Sequence, residues 1–425
     1  MQHFSFIMFF VWAAALLLAI WAARVAQRFG VRIPRMIQRP LASENLPPVA
    51  VILPIKGVDD DTASNIEALL QQDYPDYRLV FTVESEQDPV LPVLEKIAAE
   101  DSRVEIVVAG LSTQRGQKIH NQLAAVERTT DRDEVLAFMD ADAKPGSKWL
   151  HALVLPLTYG EHIGATTGYR YYIPVTNHTA NKVVSIINAS VAALLGPYRR
   201  TFAWGGSMAI RRKDFYAFGL PTLWSNALSD DYVMSYCIKK VAKRHIQFVP
   251  NCIVASDANF NWASLFEFAV RQYRITKVCE PLIWLTAVCG ALIYLSAMAY
   301  TLTCSILGFF RPDLVPDHFN QIVMFLGLYA ASAIRGYLLV LGGKRLLPEH
   351  AKAIQSTLFC ATVAFPWVVL INLLALVGSA FGREIVWRGV EYIMQSRTRT
   401  IVRRPNLPAA GSGHKSRSVY ETIRR

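Results

Sequence analysis

Asp140-Ala-Asp142 ends an apolar run, Val135–Met139, with two carboxylates two positions apart. Successive side chains on a strand alternate, so residues i and i+2 share one side. Two oxygen donors on one side can hold a hard divalent cation, and Mg2+ or Mn2+ often bridges protein carboxylates to substrate phosphates. A lone D-x-D also occurs as a solvated turn, so its weight comes from standing at a strand end beside other acids. Leu228-Ser229-Asp230-Asp231-Tyr232 opens a helical stretch, Tyr232–Val241. Acids at a helix start satisfy first-turn N–H groups and the helix dipole. With Ser229 or Asp230 as the cap, Asp231 remains as a candidate general base. Arg271-Gln-Tyr-Arg274 sets two guanidiniums at i and i+3, on one helix face. They could rest on lipid phosphates, or clamp a diphosphate leaving group, for which Arg suits better than Lys. Trp204-Gly205-Gly206-Ser207 could bring a backbone close to a substrate or simply turn the chain.

The elements that position these residues read as a repeating pattern. Strands at Val49–Ile55, Leu79–Val83, Val104–Ala109 and Val135–Met139 alternate with helices at Ala63–Gln72, Val90–Ala99, Lys118–Val126 and Lys148–Leu157. Apolar strands alternating with helices predict an α/β domain, its mostly parallel sheet covered on both faces. Ligands of such sheets bind beyond the carboxyl ends of the strands. Polar residues stand there: Lys56 and Asp59, Glu84 and Asp88, Asp140 and Asp142. No G-x-G-x-x-G and no G-x-x-x-x-G-K-[ST] is present, which argues against a dinucleotide site and a P-loop.

The whole chain places this domain against a membrane. Of 425 residues, 52% are hydrophobic and 18% charged, below the ~25% charged of soluble proteins. Phe4–Ala23 carries no charge and is long enough to cross a ~30 Å hydrocarbon core. Further apolar runs are Leu282–Phe310, Gln321–Leu341 and Ile354–Phe381; the last, with Pro366 near its middle, either crosses or forms a hairpin. Arg335 sits inside the third run, where a charge needs a structural partner. Arg24, Arg28, Arg32, Arg35 and Arg39 precede the first acid, Glu44, and put the domain on the cytoplasmic side. Residues 382–425 hold ten Lys/Arg against three Glu, seven of the net +11. Basic residues beside apolar runs point to a membrane surface rather than nucleic acid. The expected organisation is a transmembrane helix over 1–26, a cytoplasmic catalytic domain over 48–260 and an amphipathic interfacial helix over 261–280. Transmembrane helices follow over 281–381 and a basic tail over 382–425. The six cysteines form no C-x-x-C pair and give neither a zinc spacing nor a disulfide framework.

Taken in order, these motifs resemble the family 2 inverting glycosyltransferases of GT-A fold, more closely their ceramide glucosyltransferase branch. The resemblance is carried by Leu53-Pro-Ile-Lys-Gly-Val-Asp59, Asp73-Tyr-Pro, Asp88-Pro89 and Lys118-Ile-His-Asn121. Asp140-Ala-Asp142, Asp230-Asp231-Tyr232, Arg271-Gln-Tyr-Arg274 and Trp387-Arg388-Gly389 complete it. It implies a Rossmann-like GT-A domain, a UDP-sugar donor and a membrane lipid acceptor (ceramide-like, hopanoid or diacylglycerol) in a bacterial inner membrane. It places uridine near Lys56, Glu84 and Asp88 with Lys118 close by, the metal-diphosphate at Asp140 and Asp142, and the base at Asp231. Asp230, Trp204, Gly205 and Gly206 would lie toward the acceptor. The family's (Q/R)xxRW signature ends in Trp, where this chain has Ile275. A processive polysaccharide synthase shares these motifs but usually needs more membrane helices to export its polymer. A silent scaffold of the same fold should have lost the base or a metal ligand, and this chain keeps both.

Overall fold

The computed structural model describes residues 2–37, 45–59, 62–196 and 200–404. Seven strands form its main sheet: β1 (Val49–Pro54), β2 (Tyr77–Val83), β3 (Val104–Val108), β4 (Val135–Met139), β5 (Ile163–Pro174), β6 (Ser207–Arg211) and β7 (His245–Ala258). Their spatial order is β3-β2-β1-β4-β6-β5-β7. β6 runs antiparallel to β4 and β5, and the other neighbours pair in parallel. This is the mostly parallel α/β architecture the sequence pattern predicts.

β1 explains why the pattern was so apolar. Val49, Val51 and Leu53 enter one core with Leu79, Phe81 and Trp149, while Ala50 and Ile52 enter another with Leu136, Phe138 and Trp224. A strand covered on both faces buries every residue, and period two only decides which core receives it. The helices Thr62–Leu70, Leu91–Glu100, Gln117–Glu127 and Trp149–Val154 follow β1 to β4 in turn.

Val183–Leu195, an apolar stretch too short to span, supplies most of the helix Thr179–Ala192. It sits at a seam, with Val183, Ile186 and Ala189 in a core that joins Tyr171 and Phe248 of the sheet to Leu339 and Val340. Those last two belong to His318–Leu346, one of three helices among the described residues that are long and apolar enough to cross a membrane. The others are Phe6–Arg35 and Pro281–Phe310. The three meet around Ala15, Ala19, Ala297, Met298 and Leu328, and expose Leu17, Leu282, Phe309 and Phe319 outward, as a lipid-facing surface requires. The Arg335 guanidinium lies 4.8 Å from the Phe365 ring centroid, a cation–π contact that partners its charge within the bundle.

The last apolar run is broken into Ala351–Gln355, Leu358–Ala361 and Phe365–Ala380. Pro366 stands in the first turn of the final helix, where its missing N–H costs no hydrogen bond. That helix has 16 residues, about 24 Å at 1.5 Å per residue, short of a bilayer core. Residues 382–425, expected as a basic tail, instead begin with a second sheet. β8 (Glu384–Trp387), β9 (Val390–Ser396) and β10 (Arg399–Arg403) pair antiparallel in the order β10-β9-β8. Ile385, Val390, Tyr392 and Met394 form its buried face, packed with Leu228 of the sheet domain and with Ile275 and Val278. The chain therefore returns to the side on which β1–β7 lie. Residues 405–425 are outside the described residues.

Candidate active site

The carboxyl ends of β1, β2 and β4 gather charged groups into one cluster. Lys56, just beyond β1, pairs with Glu84 beyond β2 at 2.5 Å. The Asp88 carboxylate accepts from Gly57 N–H at 2.9 Å and from Val90 N–H at 3.0 Å. Gly57 has φ +73°, a left-handed conformation that glycine adopts without steric cost. Asp88 thereby fixes the loop leaving β1 rather than standing free.

Lys118 is at the start of the helix Gln117–Glu127, and its ammonium ties the two acidic motifs together. Nζ lies 2.6 Å from Asp140 Oδ1, 2.8 Å from Asp230 Oδ2 and 3.1 Å from Gly205 O. Burial alone would lower the Lys118 pKa, but Asp140 and Asp230 outweigh it and raise it. Burial likewise disfavours ionised Asp140, yet Lys118 and Arg170 hold its pKa below the usual carboxylate range. Asp230 is anchored again by Gln122 Nε2 at 2.9 Å. The two glycines beside them are steric necessities. A Cβ on Gly205 would come within 2.5 Å of Asp230 Oδ2, and one on Gly206 within 2.7 Å of Asp140 Oδ2. Gly205 and Gly206 thus admit the carboxylates, and Trp204 stacks beside them under Arg170 at 5.2 Å.

Asp231 is held differently. Ser229 caps its helix by accepting from Tyr232 N–H, and the Ser229 hydroxyl donates to Asp231 Oδ1 at 2.5 Å. Tyr232 N–H donates to the same oxygen at 2.7 Å, while Gly205 N–H reaches Oδ2 at 3.4 Å. Burial first, then the neighbouring Asp230 charge, push the Asp231 carboxyl up to about 6. A carboxylate poised there can take a proton near neutral pH.

Arg170 is the residue that sequence reading missed. It projects from β5, and its guanidinium meets Asp142 at 2.6 Å and Asp140 at 3.5 Å. Both D-x-D carboxylates thus converge on a single cation, which is the arrangement a divalent ion would need. Among the described residues no third Asp, Glu, His or Cys joins them, so a metal here would draw its remaining ligands from phosphate and water. The signal for Arg170 was an arginine inside an aromatic segment, Tyr169-Arg-Tyr-Tyr172.

Arg271 and Arg274 share a helix, Trp262–Cys279, but differ in what they touch. Arg274 Nη1 donates to Glu384 O of β8 at 2.5 Å. Arg271 lies 5.7 Å from the Phe268 ring centroid, and burial lowers its pKa. Among the described contacts neither reaches Asp140, Asp142 or Asp231. Ile275, where the resembling family has Trp, packs against the β8–β10 sheet.

Comparison with known proteins places the chain in a family. A ceramide glucosyltransferase from Pyricularia oryzae is 37% identical over 71 residues, a stretch covering 16% of this chain and 14% of that relative. Among solved structures, mannosyltransferase PcManGT from Pyrobaculum calidifontis, in complex with GDP-Man and Mn2+, is 14% identical. It aligns over 87% of this chain and 99% of its own, with a TM-score of 0.48. GalNAc-T7, with UDP, GalNAc and Mn2+, is 16% identical over 59% of this chain and 52% of its own, with a TM-score of 0.41. The model of glycosyl transferase family 21 matches residues 7–400, nearly the whole of the chain, and the chain belongs to that family.

Proposed function

We propose that this glycosyltransferase is membrane-bound and inverting, and moves one hexose from a UDP-sugar to the hydroxyl of a membrane lipid. The observation that carries the reading is Asp231, a carboxylate with a raised pKa, set beside the Lys118–Asp140–Asp230 cluster at the carboxyl edge of the sheet. The acceptor hydroxyl gives its proton to Asp231 as its oxygen attacks the anomeric carbon. The bond to the nucleotide diphosphate breaks on the opposite face, and the configuration inverts. The lipid acceptor is supported by the apolar helices packed directly against the sheet domain, and a ceramide-like lipid by the Pyricularia oryzae relative. Arg24, Arg28, Arg32 and Arg35, toward the C-terminal end of the Phe6–Arg35 helix, support a cytoplasmic face, which we read as that of a bacterial inner membrane.

Asp140 and Asp142 would hold Mg2+ or Mn2+. When bound, such an ion neutralises charge on the departing diphosphate. Arg170 occupies the same two carboxylates, so the guanidinium and the ion compete. Arg170→Met is therefore expected to bind Mn2+ about tenfold more tightly in the absence of nucleotide, read from the loss of the free-ion spin-resonance signal. Equal affinity in wild type and variant would show that Arg170 does not contest the ion.

The activity itself is tested on purified protein in detergent, with a panel of UDP-sugars and mixed lipid acceptors read by mass spectrometry. One hexose-sized increment on one lipid class, lost in Asp142→Ala, is the expected result. A ladder of increments would mark a polysaccharide synthase, and no product with any donor would mark a silent scaffold.

A further inference from the structure

The turn between β8 and β9 carries an arginine in an unfavourable place. Arg388 has φ +48° and Gly389 φ +79°. A two-residue hairpin turn with both φ positive favours Asn-Gly, because Asn tolerates the left-handed region better than a long side chain does. The turn by itself gives no reason for an arginine at this position.

The side chain leads back to the catalytic edge. Arg388 Nη1 donates to Lys56 O at 2.8 Å, across 332 residues of chain. The other cations of this edge are already neutralised: Lys56 by Glu84, Lys118 by Asp140 and Asp230, Arg170 by Asp142. Arg388, by contrast, is exposed and has no carboxylate partner among the described residues.

The sheet that presents it is tied down on several sides. Gln117 N–H donates to the Tyr392 hydroxyl at 3.3 Å, and Arg404 bonds Ser112 O and the Gln117 side chain. Arg397 pairs with Glu280 at 2.9 Å. Arg274 donates to Glu384 O at the start of β8, and Lys277 donates to Ala380 O and Gly382 O just before it. A hairpin anchored this firmly, ending in one uncompensated guanidinium beside Lys56, is suited to an anionic ligand. The planar fork of Arg matches phosphate oxygens.

We infer that Arg388 is a donor-binding residue whose guanidinium meets the nucleotide diphosphate, and that Arg274 is a positioning residue that sets the β8–β9 turn beside Lys56. The inference rests on the UDP-sugar reading above and adds a residue from outside the main sheet to that site.

The test is calorimetric titration of the full chain in detergent with UDP and, separately, uridine. Arg388→Asn suits the left-handed turn better than arginine, so its Tm should be no lower than wild type. Its UDP affinity is expected to fall about ten- to a hundredfold, the span of one charge-assisted phosphate contact. Uridine affinity should stay within about twofold, since the lost contact is to phosphate. Unchanged UDP affinity in Arg388→Asn, with wild type binding UDP, overturns the inference while leaving the donor reading intact. Wild type failing to bind UDP at all overturns the donor reading and this inference with it. Arg274→Ala should weaken UDP in the wild-type background and have no further effect when Arg388 is already Asn. Additive losses would overturn the positioning role.

Discussion

Asp231→Asn lowers kcat by about a thousandfold, within the range for loss of a general base, and leaves UDP affinity within about twofold. Asparagine keeps the shape and can still accept from Ser229 and Tyr232, so what disappears is the capacity to take a proton. In wild type the carboxyl is pushed up to about 6 by burial and then by Asp230. The acid limb of kcat/KM should accordingly fall through that value. The same shift has a stability sign. Asp231 binds its proton more tightly folded than unfolded, so stability contributed by this group falls as pH rises from its ordinary value of 3.8 to about 6. Above that window the cost is fully present. The variant should therefore melt higher than wild type at about pH 8, and the advantage should vanish below about pH 4. Wild-type turnover in Asp231→Asn would overturn the base assignment.

Lys118→Met is the substitution expected to cost the fold most. It leaves Asp140 and Asp230 facing each other with their shared ammonium gone, and both are largely buried, at 24% and 7% side-chain exposure. Removing one member of a buried ionic cluster costs about 3–5 kcal/mol, because Asp230 is left without its cation and Asp140 keeps only Arg170, at 3.5 Å. Thermal melting in detergent reads it directly. Asp230→Asn added to Lys118→Met should recover part of the loss, since it removes one of the stranded charges. A double variant no more stable than Lys118→Met would show that the ammonium is not what reconciles the two acids.

The parts of this architecture legible in the sequence are those that burial writes into residue order. β1 and β4 are covered on both faces, so their apolar runs are unbroken, and the acids beyond them mark the edge; β3, at the border of the sheet, is only part-buried and admits Glu105. β5 and β7 mix Thr, Tyr, Arg, Asn and Asp, because their ends meet the site and the seam rather than a dry core. Arg170 was hidden for that reason. The spacing of Arg271 and Arg274 told which helix face they occupy, but not that the face meets a second sheet. That sheet was masked by net charge. The alternation of β9, with Val390, Tyr392 and Met394 buried and Glu391 and Ile393 only partly so, was readable, yet ten basic residues drew attention to the membrane surface instead.

The late position of β8–β10 also bears on how the protein is made. Its strands close against residues of the first domain, and the Arg388–Lys56 contact joins points 332 residues apart. Contacts of such separation carry a large loop-closure cost and cannot form before the chain between them has been made. A ribosome that has completed β1–β7 has thus released a domain whose Leu228 face still lacks its cover. All the intervening helices must be made before that cover exists. Biogenesis itself then acts as a safeguard, because a chain cut short before β8 ends as an unfinished enzyme.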